Sequence, residues 1–253
     1  MPDPLERFSA VAEAYHRYRP GYPAELVDWI ASVSGVRAGA RVADLGCGTG
    51  IFSRLLASRE LAVTGVEPND AMLAHARATG GGPVYLTGDA AHTGLADASV
   101  DLVTAAQAFH WFPLAAALAE IDRILAPGGW ACAVWNERRP SGFNDEYEAL
   151  LHRWSREYAE NPSLDELHSE PRRSLIDAAI PGAVTTDLPS GDQIDWETVL
   201  GRVRSASYVR HGIGDLPGFE RDVREAFERH AGPDQRLFWR MSAVAIAWPR
   251  RPG

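Results

Sequence analysis

The feature that most narrows the fold is Asp44-Leu45-Gly46-Cys47-Gly48-Thr49-Gly50, set between Ala40–Ala43 and a helix-like segment beginning at Ile51. A strand must end there, the backbone must turn on three glycines, and a helix must open above the strand. Glycine is needed because such a turn visits positive φ and because a ligand has to come close to the main chain. The helix N-terminus then offers free N–H groups to a polar or negatively charged ligand. The junction reads as a nucleotide-type binding turn.

Spacing narrows the kind of nucleotide. A dinucleotide fingerprint, G-x-G-x-x-G, would place its third glycine where Ile51 stands. A phosphate-cradling loop would need lysine, and the chain has none, since all 25 basic residues are arginine. The stretch V-A-D-L-G-C-G-T-G (Val42–Gly50) resembles motif I of the class I S-adenosyl-L-methionine (SAM) dependent methyltransferases. That resemblance implies that Asp44, Gly46, Cys47 and Gly48 face the methionine end and ribose of SAM.

Strand and helix signals alternate through the first half of the chain. Strands are expected at Arg41–Asp44, Ala62–Glu67, Val84–Thr87, Val100–Ala105 and Trp130–Trp135, with helices between most of them. Asn69 is placed to cap the helix after the second strand, and Pro127-Gly128-Gly129 to stop the helix before the fifth. Such alternation predicts a doubly wound, Rossmann-like α/β sheet of seven strands, mostly parallel, with the last strand (Ala243–Trp248) antiparallel. Apolar residues at helical spacing over 5–18, then a helix from Pro23 to about Val33, predict an N-terminal helical lid. Segments 143–160 and 171–180 predict a helical cap inserted after strand 5. The reading is one domain over 1–253: lid helices 1–36, SAM-binding core 37–136, cap 137–182, and 183–253 completing the fold.

In open α/β sheets ligands sit at the carboxyl ends of the strands. Glu67 ends strand 2 in G-V-E-P, where a carboxylate accepts both ribose hydroxyls, with Pro68 beside it. By resemblance, Asp89 after strand 3 contacts the adenine amino group and Ala90 faces the ring. Many relatives carry a second acid where this chain has Ala91. The run Val100–Phe112 (V-D-L-V-T-A-A-Q-A-F-H-W-F) and Arg123–Gly129 (R-I-L-A-P-G-G) resemble small-molecule methyltransferases of the menaquinone/ubiquinone and trans-aconitate type. Gln107 is then expected on the methionine part of SAM, and Phe109, Trp111 and Phe112 around the pocket.

His110 is read either as a proton acceptor, because imidazole titrates near ~6.5 and suits a hydroxyl or acidic C–H nucleophile, or as a residue that lines the pocket. Tyr15–Pro23 (Y-H-R-Y-R-P-G-Y-P) resembles the lid of the same group. It implies Arg19 on the SAM carboxylate and Tyr15 near the sulfonium, with Tyr22 towards substrate. Trp111, Asn136 and Tyr208 complete the expected substrate contacts, with Arg138, Phe143 and Trp154 as further cap candidates.

A net charge of −9 argues against a nucleic-acid groove, and no stretch reaches the ~18 apolar residues of a membrane span. Charges recur from Asp3 to Arg19, so no secretory leader is expected, and a cytoplasmic setting is. Two cysteines, Cys47 and Cys132, give no disulfide framework and no zinc spacing, so no metal is expected. The implied function is SAM-dependent methyl transfer to O, N or C of a small molecule, with S-adenosylhomocysteine as product. Two alternatives stay open at this level: a SAM enzyme of other chemistry, such as decarboxylation or pericyclisation, and a SAM-binding partner protein without catalysis.

Overall fold

The computed structural model describes residues 17–160, 180 and 182–251. Its strands are β1 (Arg41–Leu45), β2 (Ala62–Glu67), β3 (Val84–Thr87), β4 (Val100–Ala106), β5 (Leu125–Arg138), β6 (Val184–Ile194) and β7 (Leu237–Pro249). They form a single seven-stranded sheet in the order β3-β2-β1-β4-β5-β7-β6. Pairing is parallel from β3 to β5, and β7 runs antiparallel to both β5 and β6. The central strands are buried on both faces, as helix-covered parallel strands must be: in β1 only Arg41 is exposed. The expected fold class holds.

Helices α1 (Ala24–Ser34), α2 (Ile51–Ala57), α3 (Asp70–Thr79) and α4 (Leu114–Ile124) flank this core. Asn69 caps α3 as expected, its side chain accepting from the Met72 amide at 3.0 Å. The expected helices over 5–18 and 171–180 lie outside the described residues, apart from their last residues.

Three strands run longer than the sequence signals suggest. β5 begins at Leu125, not Trp130, because Pro127-Gly128-Gly129 is absorbed as a bulge: pairing shifts between Val100↔Leu125 and Leu102↔Trp130, with Gly128 at φ 80°. β6, strand-like in sequence only over Val184–Leu188, continues through Pro189 and Gly191 to Ile194, which an edge strand tolerates. β7 starts at Leu237, and β5 runs on past the end of β4, which pairs Ala106 with Val134. A ribbon of β5, β7 and β6 therefore projects beyond the carboxyl ends of the parallel strands.

The cap is built on that ribbon, and it comes from two stretches of chain. Helices α5 (Gly142–Trp154) and α6 (Arg156–Glu160) supply one part; α7 (Trp196–Ser205), α8 (Ser207–Gly212) and α9 (Leu216–His230) supply the other. Their apolar faces share one cluster with Leu237, Trp239 and Met241 of β7, including the fully buried Phe219 and Phe227. Phe143 and Trp154 belong to this packing and not to a substrate wall: Phe143 is buried against Trp239, and the Trp154 ring lies against Phe219 while its Nε1 donates to Asp222 at 3.0 Å.

Candidate active site

A cavity of about 580 Å³ lies between the carboxyl ends of the parallel strands and the cap. Its floor is the glycine turn. Gly46, Gly48 and Gly50 all take positive φ (64°, 57° and 77°), which a side chain would strain. A Cβ on Gly46 would lie 2.6 Å from that of Ala108, so this glycine lets the post-β4 loop close on the turn. A Cβ on Gly48 would meet nothing within 4 Å; it would stand in the cavity.

Two buried carboxylates brace this floor. The Oε2 of Glu67 accepts from the Gly48 amide at 2.9 Å and its Oε1 from the Asn69 amide at 3.0 Å, tying the turn to the start of α3. Burial pushes the Glu67 carboxyl up, against the pull of those two amides. Asp44 is fully buried, and its two oxygens accept from Ser53 Oγ at 2.5 Å and Thr104 Oγ1 at 2.8 Å. Burial raises its carboxyl from 3.8 to about 6, with the nearby Glu67 charge adding to the rise. Ser53 and Thr104 escaped the sequence reading; each lies in an expected element, but only the fold aims both at one aspartate. Burial also pushes the Cys47 thiol far up, which removes it as a nucleophile.

Asp89 and Ala90 border the cavity after β3, as Pro68 does after β2. Asp89 Oδ1 accepts from the amides of Ala91 and His92 at 2.7 and 2.8 Å, so the acid shapes its own turn without the second carboxylate of many relatives. Gln107 also lines the wall, in a left-handed conformation (φ 56°) rare for a residue other than glycine. Two bonds to β5 hold it: its amide donates to Val134 O at 2.8 Å and its Nε2 to Asn136 O at 3.0 Å.

The post-β4 aromatics divide three ways. Phe109–Trp111 is a short 3-10 turn, in which residues three apart share a face. Ala108 and Trp111 share the cavity face. Phe109, expected at the pocket, is buried against Trp135 and Trp248. His110 takes the remaining direction: it is partly buried beside the Trp111 ring at 5.0 Å and is not among the cavity's walls.

The N-terminal segment reaches the cavity with Arg19, Pro20 and Tyr22. Tyr15 lies outside the described residues. Asn136 tethers this segment, its Nδ2 donating to Gly21 O at 3.0 Å. On the other side α7 grips it: Arg17 and the Tyr18 hydroxyl both reach Glu197, and Arg202 Nε donates to Tyr18 O at 3.2 Å. The Tyr18 ring occupies the space a Cβ on Gly201 would take. A glycine in mid-helix costs about 1 kcal/mol relative to alanine, and here it makes room for the strap. Gly201→Leu is therefore expected to favour the helix yet expel Tyr18. The checks are faster tryptic cleavage after Arg17 and SAM affinity lowered about tenfold, as a misplaced binding group costs.

At the cap end, Arg138 Nη1 donates to Tyr208 Oη at 3.1 Å, and its Nη2 donates to Glu148 Oε2 at 2.6 Å and Tyr158 Oη at 2.9 Å. The guanidinium lies 5.3 Å over the Tyr147 ring. Burial opposes its charge, and the facing Tyr208, Tyr158 and Glu148 more than offset that. Asn136 and Tyr208, expected at substrate, border this end. Among the described residues no cluster of three or more His, Cys, Asp or Glu is placed to hold a metal ion, and no helix is long and apolar enough to cross a membrane.

Residues 43–133 match the methyltransferase domain family. An uncharacterised methyltransferase of Mycobacterium tuberculosis is 44% identical over 131 residues, 52% of each chain. The malonyl-[acyl-carrier protein] O-methyltransferase of Serratia marcescens is 34% identical over 127 residues, 47% of this chain and 50% of that one. The chain thus spans about half the length of these curated relatives. Among solved structures, a candidate type II methyltransferase from Anaeromyxobacter dehalogenans superposes with a TM-score of 0.64 at 26% identity, covering 93% of this chain and 100% of that one. With the sheet order, the glycine turn and its two braced carboxylates already in place, these matches identify a methyltransferase domain at residues 43–133, on the Rossmann-like fold seen in class I SAM-dependent methyltransferases.

Proposed function

We propose that the protein transfers a methyl group from SAM to an oxygen, nitrogen or carbon of a small organic molecule. One observation carries this reading: a single cavity joins the glycine turn to a polar pocket under the cap. Donor and acceptor ends thus share one space, the arrangement an in-line displacement requires.

The residues at the donor end fit SAM. In this reading Glu67 takes the ribose hydroxyls, Asp89 and Ala90 the adenine, and Asp44 with Gly46, Cys47, Gln107 and Arg19 the methionine part; all of them line the cavity. Three carboxylates and one guanidinium suit a ligand that carries an ammonium, a sulfonium and a carboxylate. When bound, SAM supplies a methyl group activated on positively charged sulfur. The chain's task is then to orient the acceptor and exclude water, which the strap over residues 17–22 and the cap both serve.

Incubation with methyl-labelled SAM and pooled small-molecule acceptors tests this reading. Label on a small product supports it; bound SAM that never gives up its methyl to any pool contradicts it. His110→Ala is expected to leave SAM affinity unchanged and turnover within about threefold of wild type, since general-base removal costs about a hundredfold or more. A hundredfold loss of kcat at full SAM affinity would restore His110 as the base.

A further inference from the structure

Buried polar groups without partners gather at the cap end of the cavity. Among the described residues, Arg138 Nε, Arg202 Nη1, Trp239 Nε1, Asn136 Oδ1 and Asn144 Oδ1 are each shielded from water and lack a hydrogen-bond partner. All five residues line the cavity. Native proteins leave few such atoms unsatisfied, and a cluster in one wall marks a place where a ligand completes the bonding.

The character of the cluster points to the ligand. Two of the five are guanidinium donors and a third is an indole N–H, and none of these can accept a hydrogen bond. Arg138 is held by Glu148, Tyr158 and Tyr208, and about a quarter of its side chain remains exposed. Arg202 is 9% exposed, paired with Asp192 at 2.6 Å and set 5.5 Å over the Trp239 ring. Both guanidinia are thus fixed in orientation before a ligand arrives. Fixed, partly desolvated guanidinia recognise planar oxyanions. Glu148, the carboxylate beside Arg138, is tied to Arg138 and Tyr158 and is no free base.

Resting on the methyltransferase reading above, we infer that the acceptor is a small molecule bearing an oxyanion, a carboxylate or an acidic phenol or enol, seated against Arg138 and Arg202. Such an acceptor needs no general base, which agrees with the absence of His110 from the wall. Its oxygen forms the new O–CH₃ bond while the S–CH₃ bond breaks; the bonding pair stays on sulfur, and no proton moves.

The test is calorimetric binding of three probes to protein saturated with S-adenosylhomocysteine: benzoate, 4-nitrophenolate and neutral benzamide. At least one anion is expected to bind about tenfold tighter than benzamide, and which anion does so separates carboxylate from phenolate acceptors. The paired variant Arg138→Gln/Glu148→Gln, which leaves no buried charge alone, is expected to lose that preference while binding S-adenosylhomocysteine normally. Benzamide binding as well as both anions, no anion binding at millimolar concentration, or preference retained in a folded variant would each overturn the inference. The wild-type comparison decides it even where a variant does not fold. Failure of S-adenosylhomocysteine to bind at all is a separate result, and it strikes the methyltransferase reading instead.

Discussion

Gly48→Trp is expected to weaken SAM binding by more than about a hundredfold, some 2.7 kcal/mol, while the protein stays folded. The space around a Cβ on Gly48 is open to 4 Å on the cavity side, so an indole there grows into the cavity. The cost to the fold is confined to the backbone, which holds φ 57°. For a residue other than glycine that costs about 1–2 kcal/mol, a loss of a few degrees in Tm. Calorimetry against thermal unfolding separates the two effects. Gly46 does not offer the same separation, because a side chain there collides with Ala108 and disturbs the loop as well as the ligand. SAM affinity retained in a folded Gly48→Trp variant would remove the cofactor from this turn.

Asp44→Asn should make the protein more stable and less able to bind. The Asp44 carboxyl is raised in the fold from 3.8 to about 6, chiefly by burial. A raised carboxyl means that the folded state holds its proton where the unfolded state has released it. Below about pH 4 both states are protonated and the aspartate costs nothing. As pH rises from about 4 to about 6 the fold loses stability, up to about 3 kcal/mol, and above that the loss is constant. Asparagine is neutral throughout and keeps both hydroxyl partners, so the gain from the substitution is expected above pH 6 and vanishes near pH 4. Chemical denaturation at the two pH values checks it. The same group links binding to pH: the cationic parts of SAM favour the ionised aspartate, so wild-type affinity falls as pH drops below about 6. Asp44→Asn should bind SAM at least about tenfold more weakly at pH 7 and lose most of that pH dependence. Equal stability of variant and wild type at pH 7 would show that the aspartate is not strained by burial.

What the sequence made legible follows local rules, and what it hid depends on long-range placement. The glycine turn, Glu67 at the end of β2 and Asp89 after β3 recur one βα unit apart, and strand alternation alone brings their ends to one edge of the sheet. Asn69 was readable as a cap because its partner lies three residues on. Ser53 and Thr104 were not, since their convergence on Asp44 spans 9 and 60 residues. Gly201 is an unfavourable helix residue until Tyr18, far away in sequence, is seen to lie on it. The place of His110 depends on one local detail: a 3-10 turn has a period of three, so the histidine does not share the face of Ala108 and Trp111. The strand ends of β5 and β6 were hidden by Pro-Gly signals that usually break structure; a bulge absorbs one and an edge position tolerates the other.

Isothermal titration of the purified chain with SAM and S-adenosylhomocysteine, with NADH as control, tests the central claim most directly. The structure predicts saturable binding of both sulfur ligands at one site per chain, tighter at pH 7 than at pH 5, and no heat from NADH. Binding of NADH without either sulfur ligand would contradict the assignment of this cavity to SAM.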